Sequence, residues 1–256
     1  MPRTPVLEIA VQDVAGVRVA AEVGAARVEL CVALGATGGL TPSLGLVEAV
    51  VDAARSATRT DGRDLPLEPL EVHALVRARA GGFVYDADEL GVHLRDVRGL
   101  VAAGASGVVV GALTPAGEVD TAQVARLVGA ASGAEVTFHR AIDTLVDPLA
   151  AVETLCGLGV TRILTSGGAQ RSVDGAEQLQ QMVEVAAGRL QVMAGGGVRP
   201  VDVATLVAVG VDAVHLSAKG VVAADGGVGG GAGAGVEVTD PVVARAAADA
   251  LRGATA

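Results

Sequence analysis

The stretch Asp86–Gly111, DADELGVHLRDVRGLVAAGASGVVVG, decides the fold. It opens on an acidic turn, Asp86–Ala87–Asp88–Glu89, which complements the positive end of a helix dipole. Apolar residues then recur at helical spacing to Ala103, Gly104 stands where a left-handed cap costs glycine least, and Gly107–Gly111 is a short Val-rich run. A strand that is apolar throughout, without alternation, is one covered by helices on its outer face, as in a parallel sheet.

The same unit recurs from end to end. Strands are expected at Val6–Val11, Arg27–Cys31, Glu71–Arg77, Gly107–Gly111, Glu135–His139, Arg162–Thr165, Leu190–Ala194 and Ala213–Leu216. Helices are expected at Asp13–Val23, Leu44–Ala57, Asp86–Ala103, Asp120–Ala131, Asp147–Leu158, Gly175–Ala187, Pro200–Val209 and Asp240–Leu251, with Gly24, Gly159 and Gly210 repeating the stop seen at Gly104. Eight such units in 256 residues predict one α/β domain, a parallel eight-stranded (β/α)8 TIM barrel over residues 1–256. Two stretches break the rhythm. Ser56–Pro69 reads as a long loop on the stability face, and the Gly/Ala-rich Ala223–Gly235 reads as a segment unable to order itself, either an insertion or a lid.

Composition narrows the function. Half the residues are hydrophobic, but the chain has two Phe, one Tyr and no Trp, so Val, Leu, Ile and Ala must fill the core. A net charge of −10 with no basic stripe argues against nucleic acid or an anionic membrane as partner. The start at Met1–Val6 lacks a secretory pattern and no long uncharged apolar run occurs, so a cytoplasmic protein is expected. Cys31 and Cys156 are too few for a disulfide framework and are expected as reduced thiols.

In such a barrel, chemistry gathers at the carboxyl ends of the strands. Glu8 and Glu29 lie inside apolar runs, where a carboxylate needs a cation or a metal, and Arg77 is the expected partner; a closed salt-bridge network and a catalytic role are both open. His139, beside Arg140 and Asp143, and His215 sit at strand tips, which suits a shared site, whereas His93 reads as a surface residue and His73 as lying below the mouth. Cys31 ends the second strand beside the mouth, where it is either a buried small hydrophobe or, with His215 or Met193, a soft ligand for Cu(I). Three Gly-rich turns, Ser166–Gly167–Gly168, Gly195–Gly196–Gly197 and Ser217–Ala218–Lys219–Gly220, offer backbone N–H groups to phosphate or another anion, unless they serve only as tight turns. Thr165 and Lys219, the single lysine, join this anion-binding set.

The motifs Val28–Cys31, Gly38–Ser43 (GGLTPS), Val136–Asp143 (VTFHRAID), Ile163–Gly167 and Gly195–Gly197 resemble the copper homeostasis family CutC, in order from Leu7 to about Lys219. The resemblance implies a cytosolic barrel, often dimeric, linked by name to copper and without an assigned reaction. Carried over by position, it implies a polar mouth made of Glu8, Glu29, Cys31, Arg77, His139, Arg140, Asp143, Thr165 and His215. Arg77–Phe83 lacks the proline and the acidic residue of the family's corresponding stretch, and Ala10 stands where many relatives carry Cys.

Two functions follow, beside the alternative of a binding or scaffold barrel with no chemistry. One is copper handling in a homodimer, with Cys31 and His215 as ligands. The other is an enzyme, an isomerase, lyase or hydrolase with no organic cofactor, acting on a small anionic metabolite. Glu29, His139, Arg77 and Asp143 would then do the chemistry, and Arg140, Thr165, Ser166, Gly196, Gly197, Ser217 and Lys219 would hold the anion.

Overall fold

The computed structural model describes residues 4–57, 68–223 and 235–255. Eight parallel strands pair in sequential order: β1 (Val6–Val11), β2 (Arg27–Leu30), β3 (Glu71–Leu75), β4 (Gly107–Val110), β5 (Glu135–Phe138), β6 (Arg162–Thr165), β7 (Gln191–Gly195) and β8 (Ala213–Leu216). β8 pairs back onto β1, with Glu8 opposite His215, so the sheet is a closed barrel. Outside it run α1 (Val14–Glu22), a short α2 (Leu34–Thr37), α3 (Leu44–Ser56), α4 (Ala87–Ala102), α5 (Thr121–Ala130), α6 (Pro148–Gly157), α7 (Ala176–Ala186), α8 (Val203–Ala208) and α9 (Pro241–Thr255).

The deciding stretch behaves as its chemistry requires. The Asp86 carboxylate accepts the Glu89 N–H while Glu89 accepts the Asp86 N–H, a reciprocal cap on α4. Leu90, His93, Leu94, Val97 and Leu100 form its buried stripe. His93 is therefore a core residue and not the surface residue expected: it lies three after Leu90 and four before Val97, and its Nε2 accepts the Ala78 N–H at 3.3 Å.

Strand alternation sorts the barrel. Leu7, Ile9, Val11, Val28 and Leu30 join the large apolar cluster shared with the helices. Their neighbours face the lumen, where two small clusters, Cys31 with Leu75 and Val109, and Leu164 with Met193 and Ala213, are surrounded by charge. Arg27, Glu71, Glu135, Arg162 and Gln191 are the first residues of their strands and make a polar layer at the amino-terminal end.

A hairpin of β9 (Lys219–Val222) and β10 (Val236–Thr239) follows the barrel, a feature not expected from the sequence. Its Glu237 accepts the Gly35 N–H at 2.9 Å and lies 3.3 Å from the Gln12 amide, pinning the hairpin to the rim. The two irregular stretches expected at Ser56–Pro69 and Ala223–Gly235 fall mostly on residues 58–67 and 224–234, outside the described residues. Among the described residues no helix is long and apolar enough to cross a membrane.

Candidate functional site

A cavity of about 610 Å³ opens at the carboxyl ends of the strands. Of the expected site residues, Glu29, Arg77, His139, Arg140, Asp143, Gly196, Gly197, His215 and Ser217 line it. Thr165, Ser166, Cys31 and Lys219 do not.

A chain of contacts runs into this cavity from the barrel interior. Arg27 Nε donates to Glu8 Oε2 at 2.6 Å, Glu8 Oε1 meets His215 Nδ1 at 2.7 Å, and His215 Nε2 lies 3.5 Å from Glu29 Oε2. Strand register produces this, because Glu8 on β1 stands between Arg27 on β2 and His215 on β8. Arg27, not Arg77, is therefore the cation that answers Glu8; local sequence does not reveal which residues a closed barrel sets side by side.

The chain sets the charges. Burial opposes the Glu8 charge, but Arg27 and the His215 hydrogen bond outweigh it and hold Glu8 below the usual carboxylate range. Burial likewise works against a charged His215, but the Glu8 hydrogen bond and the Glu29 and Glu8 charges hold its pKa above the ordinary imidazole value. Glu29 has only that histidine to help it. Burial pushes it up to about 7, with the Glu8 charge adding and His215 pulling the other way. A carboxyl group that exchanges a proton near neutrality and an imidazole held toward its charged form thus face one cavity.

Arg77 is bound differently from the expectation. Its guanidinium donates to the carbonyls of Thr37 at 2.7 Å, Gly39 at 3.0 Å and Gly81 at 2.7 Å, and it takes part in no ion pair among the described residues. Three carbonyls take hydrogens of its two terminal nitrogens, while its buried Nε–H has no partner among the described residues, and its charge is left uncancelled at the cavity wall.

One of the three Gly-rich turns is already filled. The Asp143 carboxylate accepts the Ser166 N–H at 3.1 Å, the Gly168 N–H at 3.3 Å, the Thr165 hydroxyl at 2.5 Å and Arg140 Nε at 2.8 Å. The turn after β6 is thus an anion cradle whose anion is the protein's own side chain, which corrects the reading of Ser166–Gly168 as open to a ligand. Gly196 and Gly197 after β7 do line the cavity. Gly196 has φ +120° and little room for a Cβ, since Arg140 Cζ and Ser166 Cβ would each lie 3.0 Å from it. Lys219 instead pairs with Glu237 at 3.4 Å and is more than half exposed, away from this cavity.

Two groups of described residues bring ligand atoms close enough to share a metal ion: Glu8, Glu29 and His215 at the mouth, and Glu71, His73 and Glu135 below it. Neither contains Cys31. That thiol is fully buried against Leu75 and Val109, as the buried small hydrophobe that was one of its two expected readings, and burial and the Glu29 charge push its pKa far above the ordinary range. Met193 lies in the other lumen cluster. Two carboxylates and an imidazole are a harder donor set than Cu(I) prefers.

The lower group belongs to the polar layer missed in the sequence. Arg162 donates to Gln191, Thr137 and Glu135 at 2.6, 3.1 and 2.8 Å, and Arg27 Nη1 lies 3.4 Å from Glu71. The signal for it was present, since five strands begin with a charged or amide side chain.

The deoxyribose phosphate aldolase of Aeropyrum pernix superposes with a TM-score of 0.61 at 17% identity over 84% of this chain and 86% of that one, a likeness of fold alone. The crystal structure of CutC from Streptococcus agalactiae, a protein named for copper homeostasis, superposes with a TM-score of 0.75 at 26% identity over 85% of this chain and 99% of that one. The family protein CutC of Xylella fastidiosa is 43% identical over 85% of this chain and 76% of its own length. That of Glaesserella parasuis is 41% identical over 84% and 82%. The CutC family model matches residues 5–220, from the first strand into the hairpin, and the chain belongs to the CutC family.

Proposed function

We propose that this protein is an acid–base enzyme that moves a proton on a small anionic metabolite held in the mouth cavity. The observation that carries this reading is Glu29, a cavity-lining carboxyl with a pKa raised to about 7, set 3.5 Å from a histidine whose other nitrogen is fixed by Glu8. Arg77 supplies positive charge not spent on a carboxylate, and the Gly196–Gly197 backbone supplies a turn suited to an anion. Imine chemistry is not available here, because the single lysine is Lys219, outside the cavity.

The test is a panel of small phosphorylated and carboxylated metabolites incubated with the protein and followed by NMR. At least one is converted, and Glu29→Gln lowers the rate by ~10²–10⁴-fold while the far-ultraviolet circular dichroism is unchanged. No conversion and no binding across the panel, or an E29Q variant as fast as the parent, contradicts the proposal.

The relatives' names carry a second reading, a role in copper homeostasis. The thiol expected to bind Cu(I) is the buried Cys31. Anaerobic titration against a competing chelator decides this: equal affinity in the parent and in Cys31→Ser excludes a thiolate site at Cys31.

A further inference from the structure

His139 follows β5 directly and caps the short 3-10 turn Arg140–Thr144, and its Nδ1 accepts the Ala141 N–H at 3.2 Å. A backbone N–H can only donate, so Nδ1 holds a lone pair and the neutral ring carries its hydrogen on Nε2. That Nε2–H is buried and has no partner among the described residues, although His139 lines the cavity. The ring is held in place. It packs against Gly111, where a Cβ would collide with it, and its centroid lies 4.8 Å from that of Phe83. Burial and the neighbouring Arg77 charge push its pKa down to about 3, so the ring stays neutral through the physiological range. Arg77 in turn lies over Phe83 at 5.3 Å, on the same side of the mouth.

A neutral imidazole of this kind is a poor base and a good donor to an oxygen that is gaining negative charge. We propose that His139 donates from Nε2 to a carbonyl oxygen of the substrate, and that the substrates are small aldehydes or ketones bearing an anionic group, which the site enolises. This deepens the proton-transfer reading above and rests on it. Glu29 removes the proton from the carbon beside the carbonyl. The C–H electron pair becomes the C=C bond of an enolate, and the carbonyl π pair moves onto oxygen, where it meets His139 Nε2–H and the Arg77 charge. Return of the proton from Glu29 completes the cycle with no oxidant or co-reactant. In this step His139 acts as a catalytic hydrogen-bond donor and Glu29 alone as the base.

Two measurements test this. The first needs no substrate: ¹⁵N NMR of the imidazoles in the wild-type protein shows His139 with a protonated Nε2 and an unprotonated Nδ1 at pH 7, unchanged at pH 5. A proton on Nδ1, or an imidazolium at either pH, overturns the proposal. The second follows solvent-deuterium incorporation by ¹H NMR into dihydroxyacetone phosphate, glyceraldehyde 3-phosphate and pyruvate, with glycerol 3-phosphate and lactate as matched alcohols. At least one carbonyl compound exchanges beside its carbonyl, and His139→Phe slows this by ~10²-fold while His139→Gln, which keeps a donor, retains more of the rate. Glu29-dependent conversion confined to compounds without a carbonyl overturns the assignment of His139 and leaves the proton-transfer reading standing. Absence of exchange and of conversion across both panels overturns both.

Discussion

The barrel contains two clusters of the same composition, two glutamates and a histidine, and they differ in what surrounds them. At the amino-terminal end, Glu71 and Glu135 are answered by Arg27 and Arg162, and His73 Nε2 stands 3.9 and 3.7 Å from the two carboxylates, beyond hydrogen-bond reach. Burial and the Arg27 charge push His73 down to about 3. At the mouth, Arg27 reaches only the first carboxylate, Glu8, so His215 is drawn into the chain and Glu29 keeps a displaced pKa at the cavity wall. The arginines make the difference: in the lower cluster each carboxylate has one, although burial still raises Glu71 against the pull of Arg27, and at the mouth the carboxylate that has none is displaced to about 7 and left able to exchange a proton.

The largest expected effect lies where the two clusters join. Arg27→Ala leaves Glu8 buried without its main cation and costs about 3–5 kcal/mol in urea denaturation. A loss below about 1 kcal/mol would show that Arg27 is not the partner that matters.

Glu29 gives the next effect, read through pH. Its folded pKa is raised, so its contribution to stability is whole below its ordinary value of 4.5 and is lost as pH rises through about 7. The difference amounts to about 3 kcal/mol between pH 4 and pH 8. Glu29→Gln should flatten this part of the profile and make the variant the more stable protein at pH 8; an unchanged profile would place the titration elsewhere.

Leucine at each histidine separates the clusters more finely. His215→Leu removes a hydrogen bond to a charged group and costs about 2 kcal/mol, whereas His73→Leu removes a ring with neither nitrogen bonded and changes stability by about 1 kcal/mol or less. The reverse order in thermal or chemical denaturation would break the comparison. The smallest effect is at Lys219→Ala, an exposed pair with Glu237, worth about 0.5 kcal/mol at most and leaving conversion of the metabolite unchanged.

The eight strands were legible because each is a short apolar run closed by a glycine or a polar tip, and local chemistry suffices for that. The expected strands at Arg27–Cys31 and Glu71–Arg77 stop earlier in the structure, at Leu30 and Leu75, because pairing and not hydrophobicity ends a strand. The mouth was legible from the rule that polar residues at strand ends converge, and nine of the residues so chosen do line one cavity. The same rule hid Arg27 and Arg162, which begin their strands, and so misassigned the partner of Glu8. It could not show that Asp143 folds back to fill the turn after β6, since that depends on the 3-10 turn at Arg140–Thr144 meeting the next loop. The burial of His93 is legible in its spacing, three residues after Leu90 and four before Val97.

The most direct measurement is a ¹³C NMR titration of the Glu29 side-chain carboxyl in the wild-type protein. A carboxyl buried beside Glu8 and His215 and left without an arginine should titrate with a midpoint near 7. A midpoint at the ordinary value near 4.5 would mean that Glu29 is solvated or paired like any surface carboxylate, and the mouth would lose its base.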